Sequence, residues 1–465
     1  MNSLLSMICV GCCFTVSIAL GAVSAHTQRY DFGNDPMRYL SNNRLRLGVD
    51  LSLGGAVTLL EDKQHGNTNM INSSDWGRQI QMSYYSGPNP YIGPKGEQPH
   101  KDWTMLGWNP IQSGSVGNIK SRTIAFEQPD SKTIRVRCVP MQWPHINVEG
   151  DCIFEVTYTL VDENTIEMKA RIINQRTDKT QYPGRHQEMP ALYTNGPWYK
   201  LVTYAGDAPF TDAPTTNIVE KNDGKGWPWI GFNATERWTA LVNDANTGVG
   251  IFQPDVIQVI GGFAGGDKNK GTGGVKDGQT GYIAPVGTHI LDYNIDWTYK
   301  SYLIVGSVNE IRRTARTLHG PICPPSWIFD NDRKGFSYHG AAKDTGWPIK
   351  EALNITYGEK PRGVVVSPTT FWKASDMPVL ELDAAFTCAS TSKALNVIVE
   401  VSLYSGKRIP YPLTVEPDGT RKTYEVQLHS KPEYAGAMKQ ITLYLPQTDG
   451  SARLFKMACA STKKQ

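Results

Sequence analysis

The 465-residue chain has no long run of one charge: 47 Lys and Arg stand against 44 Asp and Glu, for a net charge of +3. Without a clustered cationic stripe, no nucleic-acid partner is expected. There is no Cys-x-x-Cys pair, no two His stand at ligand spacing, and the acidic residues are scattered, so no metal is expected. Residues 261–281 hold nine Gly but lack the Gly-Lys-Ser/Thr ending of a phosphate loop, and no helical pattern follows. That segment reads as a loop over a binding face, and no nucleotide cofactor is expected. The Gly-x-Ser-x-Gly elbow has no good match either; Ser113-Gly114-Ser115-Val116-Gly117 has Ser where the first Gly belongs. Helical periodicity is scarce, with 308–318 the best short candidate. Beyond residue 25 there are never 18 uncharged apolar residues in a row, so no membrane span is expected in the mature chain.

Residues 1–25 carry no charged side chain and no His, are largely apolar over 4–20, and end in Val23-Ser24-Ala25. That pattern predicts a secretory signal peptide, and hence a secreted, extracellular or periplasmic protein. Five of the eight Cys follow it: Cys138, Cys152, Cys323, Cys388 and Cys459. An odd number in an exported chain allows two bridges at most. Proximity in sequence suggests Cys138 with Cys152 and Cys388 with Cys459, leaving Cys323 free.

Period-2 alternation dominates the rest. Phe154, Val156, Tyr158 and Leu160 alternate with polar residues, Asp162-Glu163-Asn164 makes a turn, and Ile166, Met168, Ala170 and Ile172 resume the alternation. This is the pattern of a half-buried antiparallel hairpin. Further strands read at 45–51, 56–60, 133–139, 240–242 and 302–305, so the fold class is all-β. Gly320-Pro321-Ile322-Cys323-Pro324-Pro325 interrupts them, since three prolines in five residues sustain neither ladder nor helix. A domain over 26–319, a linker at 320–326 and a second β-sandwich over 327–465 are expected, the last from short strands at 379–386, 395–404, 423–428 and 440–445.

Leu53-Gly54-Gly55-Ala56-Val57-Thr58 and the run Tyr158 to Ile166, closing at Asn174, resemble the galactose-mutarotase-like β-supersandwich enzymes. Trp327-Ile328-Phe329-Asp330 and Gly346-Trp347-Pro348 resemble a jelly roll of the carbohydrate-binding-module type. The resemblance implies a large antiparallel β-supersandwich followed by a smaller jelly roll, and sugar chemistry without choosing the reaction. It also points to His186, because such enzymes often carry a functional His after the strand that ends here in Asn174.

Nine of the 12 Trp lie between residues 76 and 297, which places a sugar site in the first domain. Asp75-Trp76-Gly77-Arg78-Gln79, followed by Tyr84 and Tyr85, combines carboxylate, guanidinium, amide and aromatics, the set that sugar hydroxyls and ring faces require. Read as a strand, Asp75 and Gln79 share a face. A second cluster runs from Tyr182 to Tyr199. His186 and Glu188 stand two apart on one extended face, suited to acid–base work, with Trp198 and Tyr199 nearby. A third holds Trp227, Trp229 and Glu236. The expected function is an enzyme that cleaves glycosidic linkages in a polysaccharide, with hydrolysis favoured over β-elimination, and the expected partner is a polysaccharide or oligosaccharide. Hydrolysis would use Glu188 and Asp75 as the carboxylate pair, with Glu236 in reserve. β-Elimination would use Arg78 and Gln79 on a uronate, with His186 and Tyr84 or Tyr85 moving the proton. Trp76, Gln79, Tyr85, Trp198, Tyr199, Trp227, Trp229 and Glu236 would bind substrate. A non-catalytic glycan-binding or surface protein is the alternative, and an aldose epimerase a poorer third.

Overall fold

The computed structural model describes residues 29–218, 229–264, 278–320 and 323–460. The signal peptide expected at 1–25, Trp227 and most of the Gly-rich segment lie outside these residues.

Alternating hydrophobic residues make strands, and among the described residues the strands form five sheets paired antiparallel. The hairpin read at 154–172 runs Cys152–Asp162 and Thr165–Asn174 and lies inside a nine-stranded sheet. A seven-stranded sheet faces it, in the order Ile230–Asn233, Gln258–Ala264, Thr280–His289, Arg185–Asn195, Gln81–Ser83, Pro110–Ile111, Met141–Gln142. A three-stranded sheet, Met37–Ser41, Leu45–Asp50 and Ala56–Asp62, joins the same core through Leu40, Leu47, Val49 and Leu60. That core mixes Phe154, Tyr158, Met168 and Ile172 of one large sheet with Met82, Tyr84, Leu192 and Ile283 of the other.

One α-helix, Val308–His319, follows the last strand of this half and covers 308–318 as expected. Ser307 accepts from the Glu310 amide while the Glu310 carboxylate accepts from the Ser307 amide, which satisfies two end donors of the helix.

Residues from 326 onward build two further sheets that share no strand with the first three. Their core includes Trp327, Phe329, Leu382, Val399, Leu443 and Leu454. Across the junction Arg333, 3% exposed, donates to Asp292 at 2.5 Å and to Asp344 at 2.5 Å, and Asn294 donates to the Trp347 carbonyl. Among the described residues no helix is long and apolar enough to cross a membrane.

The disulfide expectations are corrected, for all five described cysteines are free. Cys138 stands opposite Phe154, so Cys152 is its diagonal neighbour, at about 7–8 Å between Cα atoms, beyond the usual span of a bridge. Cys388 faces Gly450 and Cys459 faces Leu380. The antiparallel pairing therefore puts these two at opposite ends of one ladder, about 27 Å apart at ~3.4 Å per residue.

Candidate functional site

The seven-stranded sheet has one face in the core and one turned away from it. Alternation along Gln81–Ser83 sends Met82 and Tyr84 inward and leaves Ser83 and Tyr85 on the outer face. Along Arg185–Asn195, Glu188 stands opposite Ser83 on one side and Val286 on the other, which fixes it to the same outer face as His186. After Glu188 the register slips by a β-bulge before Leu192. The bulge frees two carbonyls from the ladder, and the facing sheet satisfies them: Tyr299 donates to the Glu188 carbonyl and Ser301 to that of Met189. The site residue is thus gripped from behind.

Glu188 is 9% exposed. Tyr282 donates a short hydrogen bond to its Oε1, and Ser83 and Tyr85 are further side-chain partners. Burial raises its pKa, and these hydroxyls only partly offset the shift. Burial, reinforced by the Glu188 charge, likewise holds the Tyr85, Tyr193 and Tyr282 phenols in the neutral form, well above their usual range. Tyr85 is positioned by Gln187, whose side-chain amide accepts from the Tyr85 amide and donates to its carbonyl, both at 2.8 Å, in place of a ladder partner.

Aromatic rings extend from this carboxyl. Tyr193 and Trp229 lie 4.7 and 4.9 Å from Tyr282. Tyr193 is also within electrostatic reach of Asp75 and Arg78. Asp75 and Arg78 form an ion pair at 3.0 Å, and Arg78 donates to the Gly278 carbonyl. Trp143 packs against Gly77, where an added Cβ would meet its ring at 3.0 Å, and Trp103 packs edge-on to Trp143. Trp229 precedes the first strand of the sheet and Trp143 follows the last. Six spacings of ~4.8 Å give a band about 29 Å across.

Trp229, Glu188, Tyr85, Asp75 and Arg78 share this region with His186, which is exposed. Several expectations are corrected. Residues 74–79 form a turn rather than a strand, so Asp75 reaches Arg78 and Gln79 turns inward, fully buried, to donate to the Asp75 carbonyl at 2.7 Å. Tyr84 is a core residue, edge-on to Phe154 at 5.1 Å and to Trp297 at 6.0 Å. Trp198 is buried in the same core. Glu236 is 0% exposed. Burial alone would raise its pKa, but two bonds from Arg312 with others from Trp238 and the Phe210 amide bring it below the usual range, so it is a structural anion under the helix. Tyr199 donates to Asp244, and Trp76 donates to the Asn118 carbonyl beneath Lys120.

The sequence reading missed Ser83, Tyr282, Tyr193, Trp143 and Arg185. Tyr193 and Arg185 stand inside the second cluster, and the outward parity of Glu188 selects Tyr193's strand. Tyr282 has no local signal, because it follows the Gly-rich run and meets Glu188 only through strand pairing.

No family model matches the chain, and no curated protein matches it in sequence. Among solved structures, an aldose epimerase homologue from C. elegans aligns at 12% identity over 59% of this chain and 99% of its own, with a TM-score of 0.38. A 4-alpha-glucanotransferase from Thermococcus litoralis aligns at 10% identity over 61% of this chain and 39% of its own, TM-score 0.32. A family 11 carbohydrate-binding module from a cellulosomal cellulase of Clostridium thermocellum aligns at 13% identity over 31% of this chain and 93% of its own, TM-score 0.19.

Proposed function

We propose that this chain is an exported carbohydrate-active enzyme that binds a polysaccharide along the outer face of the seven-stranded sheet and cleaves a glycosidic linkage there. One observation carries the reading: a buried carboxyl, its pKa raised by burial and held by three hydroxyls, lies beside a band of aromatic rings. Flat rings stack on the apolar faces of sugars, while a carboxylic acid of raised pKa is suited to protonate a leaving glycosidic oxygen. Glu188 is the proton donor in this reading. Asp75, ion-paired with Arg78 and within electrostatic reach of Tyr193, is the second carboxylate of a hydrolytic scheme.

The neutral phenols beside Glu188 favour elimination as a second reading. A phenol able to donate a proton to the leaving oxygen meets here a carboxyl of raised pKa that, when protonated, can steady a uronate carboxylate. A panel of polysaccharides separates the outcomes. New reducing ends without ultraviolet absorbance indicate hydrolysis, and reducing ends with unsaturated-uronate absorbance indicate elimination. Binding without either product leaves the non-catalytic alternative and refutes an enzyme.

A further inference from the structure

One charged group beside Tyr85 has no use in the scheme above. Arg185 opens the strand that carries His186 and Glu188. Its guanidinium lies over the Tyr85 ring, 5.5 Å from the centroid. Nη1 alone is held, donating to the Leu106 carbonyl at 2.6 Å and to the Ser86 carbonyl at 3.4 Å. The cradle depends on Gly107, which sits at φ +66°, where a Cβ would come within 3.2 Å of that same nitrogen.

Among the described residues, Arg185 has no carboxylate partner, and its Nε and Nη2 make no hydrogen bond. Taking a guanidinium partly out of water is costly and is ordinarily offset by an acid. Here burial disfavours the cation, and among the described residues the Tyr85 phenol rather than an acid is its electrostatic neighbour. Tyr85 in turn bonds Ser83 and Glu188, which ties the cation to the proposed proton donor. The free Nε–Nη2 edge is a planar fork that matches the two oxygens of a carboxylate or sulfate.

We infer that the site takes an acidic glycan, and that the free edge of Arg185 binds a carboxylate or sulfate ester of that glycan where the chain passes Tyr85. The inference rests on the carbohydrate reading and narrows it to a substrate class.

The test is affinity electrophoresis of the full-length protein in gels containing uronate polymers (polygalacturonate, alginate), sulfated galactans (carrageenan) or their uncharged counterparts (galactan, agarose), run with Arg185→Gln and Arg185→Lys. One acidic class should be bound about tenfold or more tightly than its neutral counterpart. The preference should shrink as salt rises. Arg185→Gln should bring the acidic-to-neutral ratio toward one, and Arg185→Lys should recover only part of it, since an ammonium lacks the fork. Uronate and sulfate arms distinguish the two sources of the anion. Neutral polymers bound as tightly as acidic ones, or a preference that survives Arg185→Gln in a variant whose circular dichroism and melting are normal, overturns the inference while leaving the carbohydrate site standing. Failure to bind any glycan overturns the carbohydrate reading, and this inference with it.

Discussion

Replacing Arg333 with Met removes the guanidinium that Asp292 and Asp344 share at the junction of the two halves. The side chains of these three are only 4%, 6% and 0% exposed. Asp344 receives two Arg333 nitrogens, the Tyr338 hydroxyl at 3.0 Å and the Gly346 amide at 2.8 Å. Asp292 receives one Arg333 nitrogen and the Trp347 amide. Without the cation, two desolvated carboxylates face each other, and breaking a buried pair in this way costs about 3–5 kcal/mol. At ~2–4 °C per kcal/mol, Tm falls by about 6–20 °C. Calorimetry at pH 7 on Arg333→Met, Asp344→Asn and the double variant checks both the size and the coupling. The double variant should lose less than the sum of the singles, because it removes one of the stranded charges along with the cation. A loss under about 1 kcal/mol for Arg333→Met, or strict additivity, would refute the claim that this network joins the halves. The network bears on the site as well. Gly184, just before the Glu188 strand, packs so closely against the second half that an added Cβ would lie 3.2 Å from the Ser337 Cβ.

Three further outcomes follow from the same geometry. Burial raises the Glu188 pKa. A group that holds its proton more tightly when folded contributes stability fully below the ordinary carboxyl pKa and loses it as pH rises through the raised value. Activity that needs protonated Glu188 falls across that window, and a kcat/KM profile rising there contradicts the role. Tyr84→Ala empties a core position and should cost about 3–5 kcal/mol by chemical denaturation, whereas Tyr85→Phe should keep the fold and lower turnover; normal turnover of Tyr85→Phe, or a Tyr84→Ala variant as stable as wild type, contradicts the inside–outside assignment. Alkylation under denaturing conditions without reductant should label Cys138, Cys152, Cys323, Cys388 and Cys459, and mass spectrometry showing Cys138 bridged to Cys152 or Cys388 to Cys459 contradicts the strand registers.

The all-β class was legible because alternation is local: Phe154 to Leu160 and Ile166 to Ile172 announce a hairpin by themselves. The helix was legible as the one periodic run, over 308–318, while its capping pair Ser307 and Glu310 went unread. The site was legible only where parity decides it. Glu188 and His186 share a face in any extended strand, and so do Ser83 and Tyr85, yet Tyr84 was misjudged because nothing local says which face is the core. The turn at 74–79 defeated strand parity altogether, turning Gln79 inward and pairing Asp75 with Arg78. Glu236 stood in an aromatic neighbourhood, but its partner Arg312 is 76 residues away on the helix. Tyr282 reaches Glu188 across 94 residues. Contacts of such sequence separation are set by sheet topology rather than by neighbours in the chain, and the cysteine pairings failed for the same reason.

The most direct measurement of the central claim is single-turnover cleavage by Glu188→Gln on whichever glycan the polysaccharide panel identifies, with affinity for that glycan measured in parallel. The substitution keeps the shape of the side chain and its capacity to accept from Tyr282 while removing the transferable proton. The account predicts a loss of roughly 10²–10⁴-fold in the cleavage rate with glycan affinity little changed. Cleavage at the wild-type rate by a correctly folded Glu188→Gln protein would contradict it.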